Sequence, residues 1–165
     1  MTNQSNAVAR IVSLNGGKLV GKTRLQKSAY LLESCGVGFG FDFTYHYYGP
    51  YSEELSLWAD VSEALDSVKV EHARTEYGAS YPIYKTQKGQ VDVNECDTTR
   101  SNILKVLSRY GTIELELAAT AVFLANNGYR DNPWDETIIR KATKATPERV
   151  RKAKALLEEI QEFRH

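Results

Sequence analysis

The first part of the chain has the apolar spacing of two helices. Apolar side chains at 8, 11, 12 and 14 predict a helix over residues 7–14 that ends at Asn15-Gly16-Gly17. Thr23 is the expected cap of a second helix that runs to about Cys35, with Gly36 as its stop. Two helices joined through a glycine-containing turn, the second with basic residues near its start, form the pattern of a helix-turn-helix.

The pattern then changes to that of a strand followed by a helix. Aromatic side chains stand at every second position of residues 39–47, which makes this segment the clearest predicted strand in the chain. Residues 48–51, with the sequence Tyr-Gly-Pro-Tyr, predict a turn. Ser52 is the expected cap of an acidic helix that continues to about Leu65.

Two further strands and a helical region complete the predicted elements. Residues 68–73 and 81–86 predict strands separated by a loop at Gly78, in the manner of a wing. Four helices are predicted after them, at 101–110, 113–126, 134–143 and 147–163. Thr146 and Pro147 give the last helix a cap and an N1 proline.

These elements predict an α+β fold in two parts that pack as one unit. Residues 1–97 form a winged helix-turn-helix-like part with a small antiparallel sheet, and residues 98–165 form a helical extension. A chain of 165 residues is long enough to bury a core without disulfides or metal. The two cysteines, Cys35 and Cys96, lie far apart and have no spacing that indicates a disulfide framework or a zinc site.

The chain has no apolar run of the roughly 20 residues that span a bilayer. Its first residues lack the layout of a signal peptide, so a cytoplasmic location and no membrane partner are the default expectation. Lysine plus arginine and aspartate plus glutamate each total 21, which gives no overall basic field for nucleic acid.

Charge is nevertheless unevenly distributed. Residues 1–35 carry five basic side chains against one acidic one, and residues 52–66 carry five acidic side chains and no basic one. The basic region could contact phosphates, although a solvated helix face explains the same residues. The candidate DNA-binding residues are Lys18, Lys22, Arg24, Lys27, Lys85 and Lys88.

Residues 16–23 (GGKLVGKT) match the phosphate-loop pattern GxxxxGK[ST]. A true phosphate loop needs a strand before it, a helix after it, and a parallel sheet with a magnesium-binding acid. The chain shows no alternating series of strands and helices, and its best strand is aromatic and half-buried rather than aliphatic. The alternative interpretation is that Gly16-Gly17 ends one helix and Gly21-Lys22-Thr23 begins the next.

Other candidate chemistry is sparse. The three histidines are scattered, so no metal site is indicated, and Glu114 and Glu116 point apart on one predicted helix. The sequence therefore predicts no catalytic residues, no cofactor and no enzyme activity.

Ten tyrosines is a high count, and four of them surround the Gly49-Pro50 turn. Such amphipathic rings either anchor a protein partner or wedge a strand against a helix. The candidate partner-binding residues are Tyr47, Tyr48, Tyr51, Glu53, Glu54 and Trp58, with Asp60 and Glu63 on the same acidic helix.

Eight residues carry a resemblance to a known family. The matching positions are Leu25, Lys27, Tyr30, Tyr48, Gly49, Pro50, Tyr51 and Leu55. An L-x-K-x-x-Y helix followed by a (Y/W)-G-P-(Y/V) turn into another helix resembles the Panacea (SocA-like antitoxin) domain and its YwgA-like relatives. The later segments at 114–120 and 144–148 look more like the YwgA-like proteins. Ser28-Ala29 departs from the larger apolar residues usual at these positions.

The resemblance implies a non-catalytic domain, because Panacea relatives act as antitoxins that neutralise a toxin or as proteolytic adaptors. It favours a protein-binding regulator of antitoxin or phage-defence type, whose partner is a toxin or a defence-system component. A winged-helix DNA-binding regulator is the alternative, and a nucleotide-binding enzyme is the third hypothesis. Nucleic acid and a second copy of the chain stay open as partners.

Overall fold

The computed structural model describes residues 4–87 and 94–164. Its first elements are helix α1 (Ala7–Leu14), strand β1 (Lys18–Val20) and helix α2 (Lys22–Ser34). The predicted helix ends near Asn15 and Gly36 are confirmed, since both glycine-rich segments terminate helices. The predicted direct turn between the two helices is wrong, because β1 lies between them and pairs with a strand far along the chain.

The cap of α2 also differs from the prediction. Gly21, with φ +95°, occupies the N-cap position, and no side chain caps the helix. Glycine adopts this backbone conformation without the steric cost that a Cβ would impose. Thr23 therefore lies within the first turn of α2 and is not its cap.

The predicted strand over residues 39–47 is much shorter in the structure. Only Thr44–His46 forms a strand, β2, which pairs with β3 (Gly49–Tyr51) as a two-stranded hairpin. Burial nevertheless alternates as predicted, with Phe39 and Phe41 inside and Asp42 exposed. The pattern identified the buried face correctly, but among the described residues no strand pairs with the segment before Thr44 to complete a ladder.

An arginine takes the place of that missing strand. The Arg100 side chain donates to the carbonyls of Val37 and Gly38, at 2.6 and 3.1 Å. Its guanidinium also lies 4.0 Å from the ring centre of Phe39 and pairs with the buried Asp97 at 2.9 Å. The extended segment is thus held by side-chain donors that satisfy its buried carbonyls.

The remaining N-terminal elements form the larger sheet. Helix α3 (Glu53–Ala64) is capped by Ser52, as predicted, and is followed by strands β4 (Lys69–Arg74) and β5 (Ser80–Lys85). The two strands and their loop at Gly78 confirm the prediction to within a residue or so. The antiparallel sheet has the order β1-β5-β4.

In the described residues 94–164 four helices follow, as predicted. They are α4 (Glu95–Leu107), α5 (Thr112–Asn126), α6 (Pro133–Arg140) and α7 (Pro147–Gln161). Helix α4 starts six residues earlier than expected, because Asn94 and Asp97 form a reciprocal capping box at its start. Thr146 caps α7 as predicted.

A single hydrophobic core joins both parts of this α+β chain. It contains residues of α1, α2 and the sheet together with residues of α4, α5 and α7. Helix α5 packs against α2, α6 and α7, and α4 spans the boundary predicted between residues 97 and 98. Among the described residues, no helix has the length and apolar character required to cross a bilayer.

Candidate functional site

A buried lysine on α2 is hydrogen-bonded to the β2–β3 hairpin. Lys27 on α2 is 1% exposed, and its Nζ donates to the carbonyl of Pro50 at 2.7 Å. The pKa of Lys27 is lowered to about 8, chiefly by burial; Glu116 opposes this effect, and the nearby Lys141 and Lys144 add to it. The hydrogen bond therefore fixes the turn, although holding this ammonium group inside the protein is costly.

The neighbouring glutamine connects α2 to the start of α3. The Gln26 side chain donates to the Ser52 carbonyl and accepts from the Ser52 amide, both at 2.9 Å. This pair of bonds resembles that between two strands, and it satisfies two buried backbone groups. Gln26 and Lys27 together set the position at which the chain leaves the hairpin and enters α3.

Glu116 is the buried carboxylate of this region. It is 2% exposed and accepts from Lys144 at 3.0 Å and from Lys141 at 3.2 Å. Lys141 also donates to the carbonyl of Tyr47 at 2.7 Å, and burial lowers its pKa. Two lysines of this cluster, Lys27 and Lys141, thus hold two backbone carbonyls of the hairpin.

Gly49 closes the same arrangement. Its φ is +94°, and a Cβ at this position would lie 2.6 Å from Oγ1 of Thr120. Both the backbone conformation and the contact with α5 therefore require glycine. Oγ1 of Thr120 is fully buried and has no hydrogen-bond partner among the described residues.

Two tyrosines form the exposed tip of the hairpin. Tyr47 is 84% exposed, Tyr48 is 50% exposed, and their rings meet edge to face at 5.0 Å. Lys144 lies 4.6 Å from the ring centre of Tyr48. The tip is therefore an aromatic surface with cations beneath it, whose shape is fixed by the buried lysines.

Helix α3 has an exposed face of a different kind. Leu57 and Leu65 are 62% and 72% exposed, and Val61 is partly exposed one turn from each. These positions are spaced i, i+4, i+8 and so form one stripe. The exposed acidic side chains of α3 are Glu53, Glu54, Asp60 and Glu63.

The predicted partner-binding residues thus fall into three environments. Tyr47 and Tyr48 lie at the exposed tip of the hairpin, whereas Glu53 and Glu54 lie on the acidic helix α3. Tyr51 is partly buried and packs on His46, with ring centres 4.7 Å apart, and Trp58 is partly buried against the core. The structure does not join all six into a single exposed surface.

The predicted DNA-binding residues are also divided. Lys27 is buried in the hairpin cluster and is not available to a phosphate, and Arg24 donates to the carbonyls of Leu107 and Tyr110 at the end of α4. Lys22 is exposed at the start of α2. Lys18 and Lys85 stand directly opposite each other in the sheet. Lys88 lies outside the described residues.

The segment that matches the phosphate-loop pattern has its backbone engaged in the sheet. The Gly21 amide donates to the Pro82 carbonyl at 2.8 Å, and the Thr86 amide donates to the Gly17 carbonyl at 3.0 Å. A helix precedes the segment, and β1 occupies its middle. This geometry differs from that of a phosphate loop, in which a strand comes first and successive amides point at the ligand.

A cavity lies elsewhere, between α1 and the end of the larger sheet. Its volume is about 530 Å³. Its lining residues are Asn6, Ala9, Arg10, Ser13, Asp66, Ser67, Lys69, Lys85, Thr86 and Gln87. No group of three or more histidine, cysteine, aspartate or glutamate side chains in the described part of the chain could hold a metal ion.

The chain is similar to a curated protein over most of its length. It is 28% identical over 158 residues to the uncharacterized protein YwgA of Bacillus subtilis (strain 168), covering 90% of this chain and 92% of that protein. This supports a YwgA-like family. No family model and no solved structure matches the chain.

The YwgA-like resemblance has a structural counterpart in the hairpin cluster. Lys27 and Pro50, two of the residues that carry it, are joined by a hydrogen bond, and Tyr30 packs edge to face on Phe43 at 5.1 Å. Gly49 is the residue at which the hairpin approaches Thr120 of α5 closely enough to exclude a side chain. The L-x-K-x-x-Y and Tyr-Gly-Pro-Tyr segments are therefore two halves of one packing arrangement.

Several residues of these sites gave no usable signal in the sequence. Lys141 and Lys144 lie in the turns that follow α6, and Glu116 lies on the mostly apolar α5, so no local pattern brings the three together. Leu65 belongs to the predicted apolar period of this helix, with Leu55, Trp58 and Val61, which assigns it to the core, whereas Leu57 lies outside that period. Their exposure depends on which side of α3 packs inward, and only the tertiary contacts fix that side.

Proposed function

We propose that the protein is a non-catalytic regulator that binds a basic protein partner through the exposed face of α3. The observation that supports this proposal is the stripe of Leu57, Val61 and Leu65 among acidic side chains, with both leucines more than half exposed. Exposed apolar residues with a polar rim mark interaction sites on soluble domains. A helix whose apolar side chains recur at i, i+4 and i+8 suits a groove on another protein.

Charge complementarity indicates the chemistry of the partner. Residues 52–66 carry five acidic side chains and no basic one, which favours association with a basic surface and disfavours phosphate backbones. The Panacea antitoxins, which the sequence resembles, bind and neutralise a toxin. An antitoxin-type or phage-defence accessory role fits this surface, with a basic toxin or defence-system component as the partner.

The test is a calorimetric titration of this protein with the purified product of the neighbouring gene. We expect Leu57→Ser combined with Leu65→Ser to weaken the complex at least tenfold, because both side chains leave water on binding. Glu53→Lys combined with Glu54→Lys should weaken it further at low salt. Ile139→Ser is the matched control, since Ile139 is 71% exposed but lies on α6.

Two results would count against this proposal. One is the absence of a complex at micromolar concentrations. The other is a complex that the α3 variants and the Ile139→Ser control leave equally strong, which would place the interface elsewhere.

A DNA-binding winged helix is the second candidate, and one observation favours it. Apart from the inserted hairpin, the order α1-β1-α2-α3-β4-β5 with the sheet order β1-β5-β4 is that of winged-helix domains. In that arrangement α3 would be the recognition helix, and its acidic side chains would face the phosphates. Retention on duplex DNA that falls steeply with salt is the expected signature, and no retention at low salt would exclude it.

A further inference from the structure

Three lysines stand side by side across the larger sheet. Lys18 on β1 is the direct cross-strand partner of Lys85 on β5, and Lys85 is in turn the partner of Lys69 on β4. Directly opposed residues of an antiparallel pair point to the same face, with Cβ atoms about 5 Å apart. The three side chains therefore form one row, named here the lysine row.

The lysine row is electrostatically unfavourable by itself, because like charges directly opposite each other destabilise a sheet. Lys85 has one acidic partner, Glu71, at 2.9 Å, and both side chains of that pair are substantially exposed. Within residues 4–87 and 94–164, Lys18 and Lys69 form no ion pair. An anion bound between them would relieve the repulsion.

A cavity lies beside the row. Lys69 and Lys85 line the cavity of about 530 Å³ between α1 and the sheet, and Arg10 lines its other wall. This volume lies within the roughly 300–1,000 Å³ typical of small-molecule sites. Its lining residues include three cationic side chains, of which Arg10 pairs with the buried Asp97, and one carboxylate, that of Asp66.

The polar lining suits the oxygen atoms of a phosphate. Ser13, Ser67 and Thr86 provide hydroxyl groups, and Asn6 and Gln87 provide amides. The hydroxyls of Ser13 and Thr86 already lie within 2.9 Å of each other, which joins the helix wall to the strand wall. Cations and neutral donors on two facing walls are the combination that holds a phosphate group.

We propose that this cavity binds a small molecule that carries a phosphate group, with Lys69 and Lys85 as the main cationic contacts and Lys18 supporting them from β1. A concave site between a helix and a sheet edge admits a compact ligand better than a duplex. The proposed site uses side chains, so it does not depend on the backbone of residues 16–23. It goes beyond the proposed partner binding by α3 and is independent of it.

The test measures the melting temperature of the full chain with and without pyrophosphate, at constant ionic strength maintained with chloride. We expect pyrophosphate to raise the melting temperature of the wild type by several degrees at millimolar concentration, because a ligand that binds only the folded state stabilises it. Lys69→Gln combined with Lys85→Gln should abolish the shift. Lys22→Gln, at an exposed lysine on α2, should keep it.

A second readout separates binding from folding. Without any anion, Lys69→Gln alone should leave the melting temperature unchanged or raise it, because it removes like-charge repulsion. Equal pyrophosphate shifts in the wild type and the double variant would overturn the proposal. Tighter binding of a 12-base-pair duplex than of pyrophosphate through the same lysines would also overturn it, in favour of a nucleic-acid surface.

The α3 variants distinguish this proposal from the proposed function. Leu57→Ser combined with Leu65→Ser should retain the full pyrophosphate shift, since neither leucine lines the cavity. Loss of the shift in this variant would contradict the independence of the two surfaces. If only the partner titration fails, the proposed function of α3 is contradicted, and the pyrophosphate shift still decides whether the cavity binds a phosphate group.

Discussion

At the scale of single residues, the hairpin corner depends on groups that have little freedom to change. Lys27 is almost completely buried with its ammonium group on the carbonyl of Pro50, and Gly49 faces Thr120 with no space for a side chain. Each of these positions combines two requirements, one on charge or backbone conformation and one on space. Substitutions at these positions should therefore lower the free energy of unfolding by more than the chemical similarity of the two residues suggests.

Gly49→Ala should lower the free energy of unfolding by about 2–4 kcal/mol, because it adds a strained backbone conformation to a contact with a buried side chain. Gly78→Ala is the matched control. Gly78 also has a positive φ but has nothing within 4 Å, so only the conformational cost of about 1 kcal/mol should appear. Urea denaturation measures both.

Thr120→Ala should rescue part of the Gly49→Ala defect, because a Cβ at Gly49 would meet Oγ1 of Thr120. The double-mutant cycle should give a coupling of at least about 0.5 kcal/mol in the rescuing direction. Strict additivity would show that the cost of Gly49→Ala comes from the backbone alone.

Lys27 predicts a pH dependence with a definite sign. Its pKa falls from an ordinary 10.5 to about 8 in the folded protein, so between these values the unfolded chain binds more protons. The contribution of Lys27 to the free energy of unfolding should therefore increase as pH rises from 8 to 10.5, by at most about 1.4 kcal/mol per pH unit. The stability of Lys27→Met relative to the wild type should fall across the same window.

The comparison with a variant is needed because other groups oppose Lys27. Burial raises the pKa of the Cys35 thiol, and it raises the pKa of Tyr30 and of Tyr84 to about 12. As pH rises above the ordinary pKa of each of these groups, that group lowers the free energy of unfolding. Urea denaturation at several pH values, with Lys22→Met as the control, isolates the lysine. A constant difference from pH 8 to 10.5 would contradict the prediction.

At the scale of elements, the segment from Val37 to Phe43 shows how a strand pattern can be satisfied without a strand. Its alternating burial is that of a half-buried strand, yet the carbonyls of Val37 and Gly38 accept from the Arg100 side chain and that of Gly40 accepts from the Gln4 side chain. The sequence could predict which side chains point inward, because that follows from the period of the pattern. It could not predict the partner, because the arginine lies about 60 residues away.

Arg100→Lys should destabilise the protein by about 2–4 kcal/mol, because one ammonium group cannot replace contacts to two carbonyls, an aromatic ring and a buried carboxylate. Amide hydrogen exchange should show faster opening of residues 37–43. Arg109→Lys is the control, since Arg109 forms an exposed ion pair with Glu159 and should change stability by less than about 0.5 kcal/mol. Equal effects of the two changes would contradict the role given to Arg100.

At the scale of the whole molecule, a net charge of zero conceals regions of opposite charge. The acidic side chains of α3 contrast with the lysines under the hairpin tip and with the lysine row of the sheet. The overall balance of charge gives no basic field for nucleic acid, but a sum over the chain cannot show where charges meet. The strand register brings Lys18, Lys85 and Lys69 together as a local cluster of positive charge.

The shared core predicts that the chain unfolds as one cooperative unit. Residues of α2 and α5 pack together, and α4 crosses the predicted boundary at residue 97, so a cut there exposes apolar surface on both fragments. We expect coincident far-ultraviolet and near-ultraviolet transitions for the full chain and no cooperative transition for fragment 1–97. A fragment that unfolds cooperatively would show that the helical part is dispensable.

The sequence by itself determined most helices, the two long strands of the sheet, the caps at Ser52 and Thr146, and the inward side of residues 39–43. These features depend on neighbours a few residues away, so local periodicity and capping chemistry are sufficient. Only the tertiary structure decided that β1 lies between the first two helices, that Lys27 is buried, and that Leu57 and Leu65 are exposed. Each depends on contacts between distant segments, which one sequence read locally does not contain.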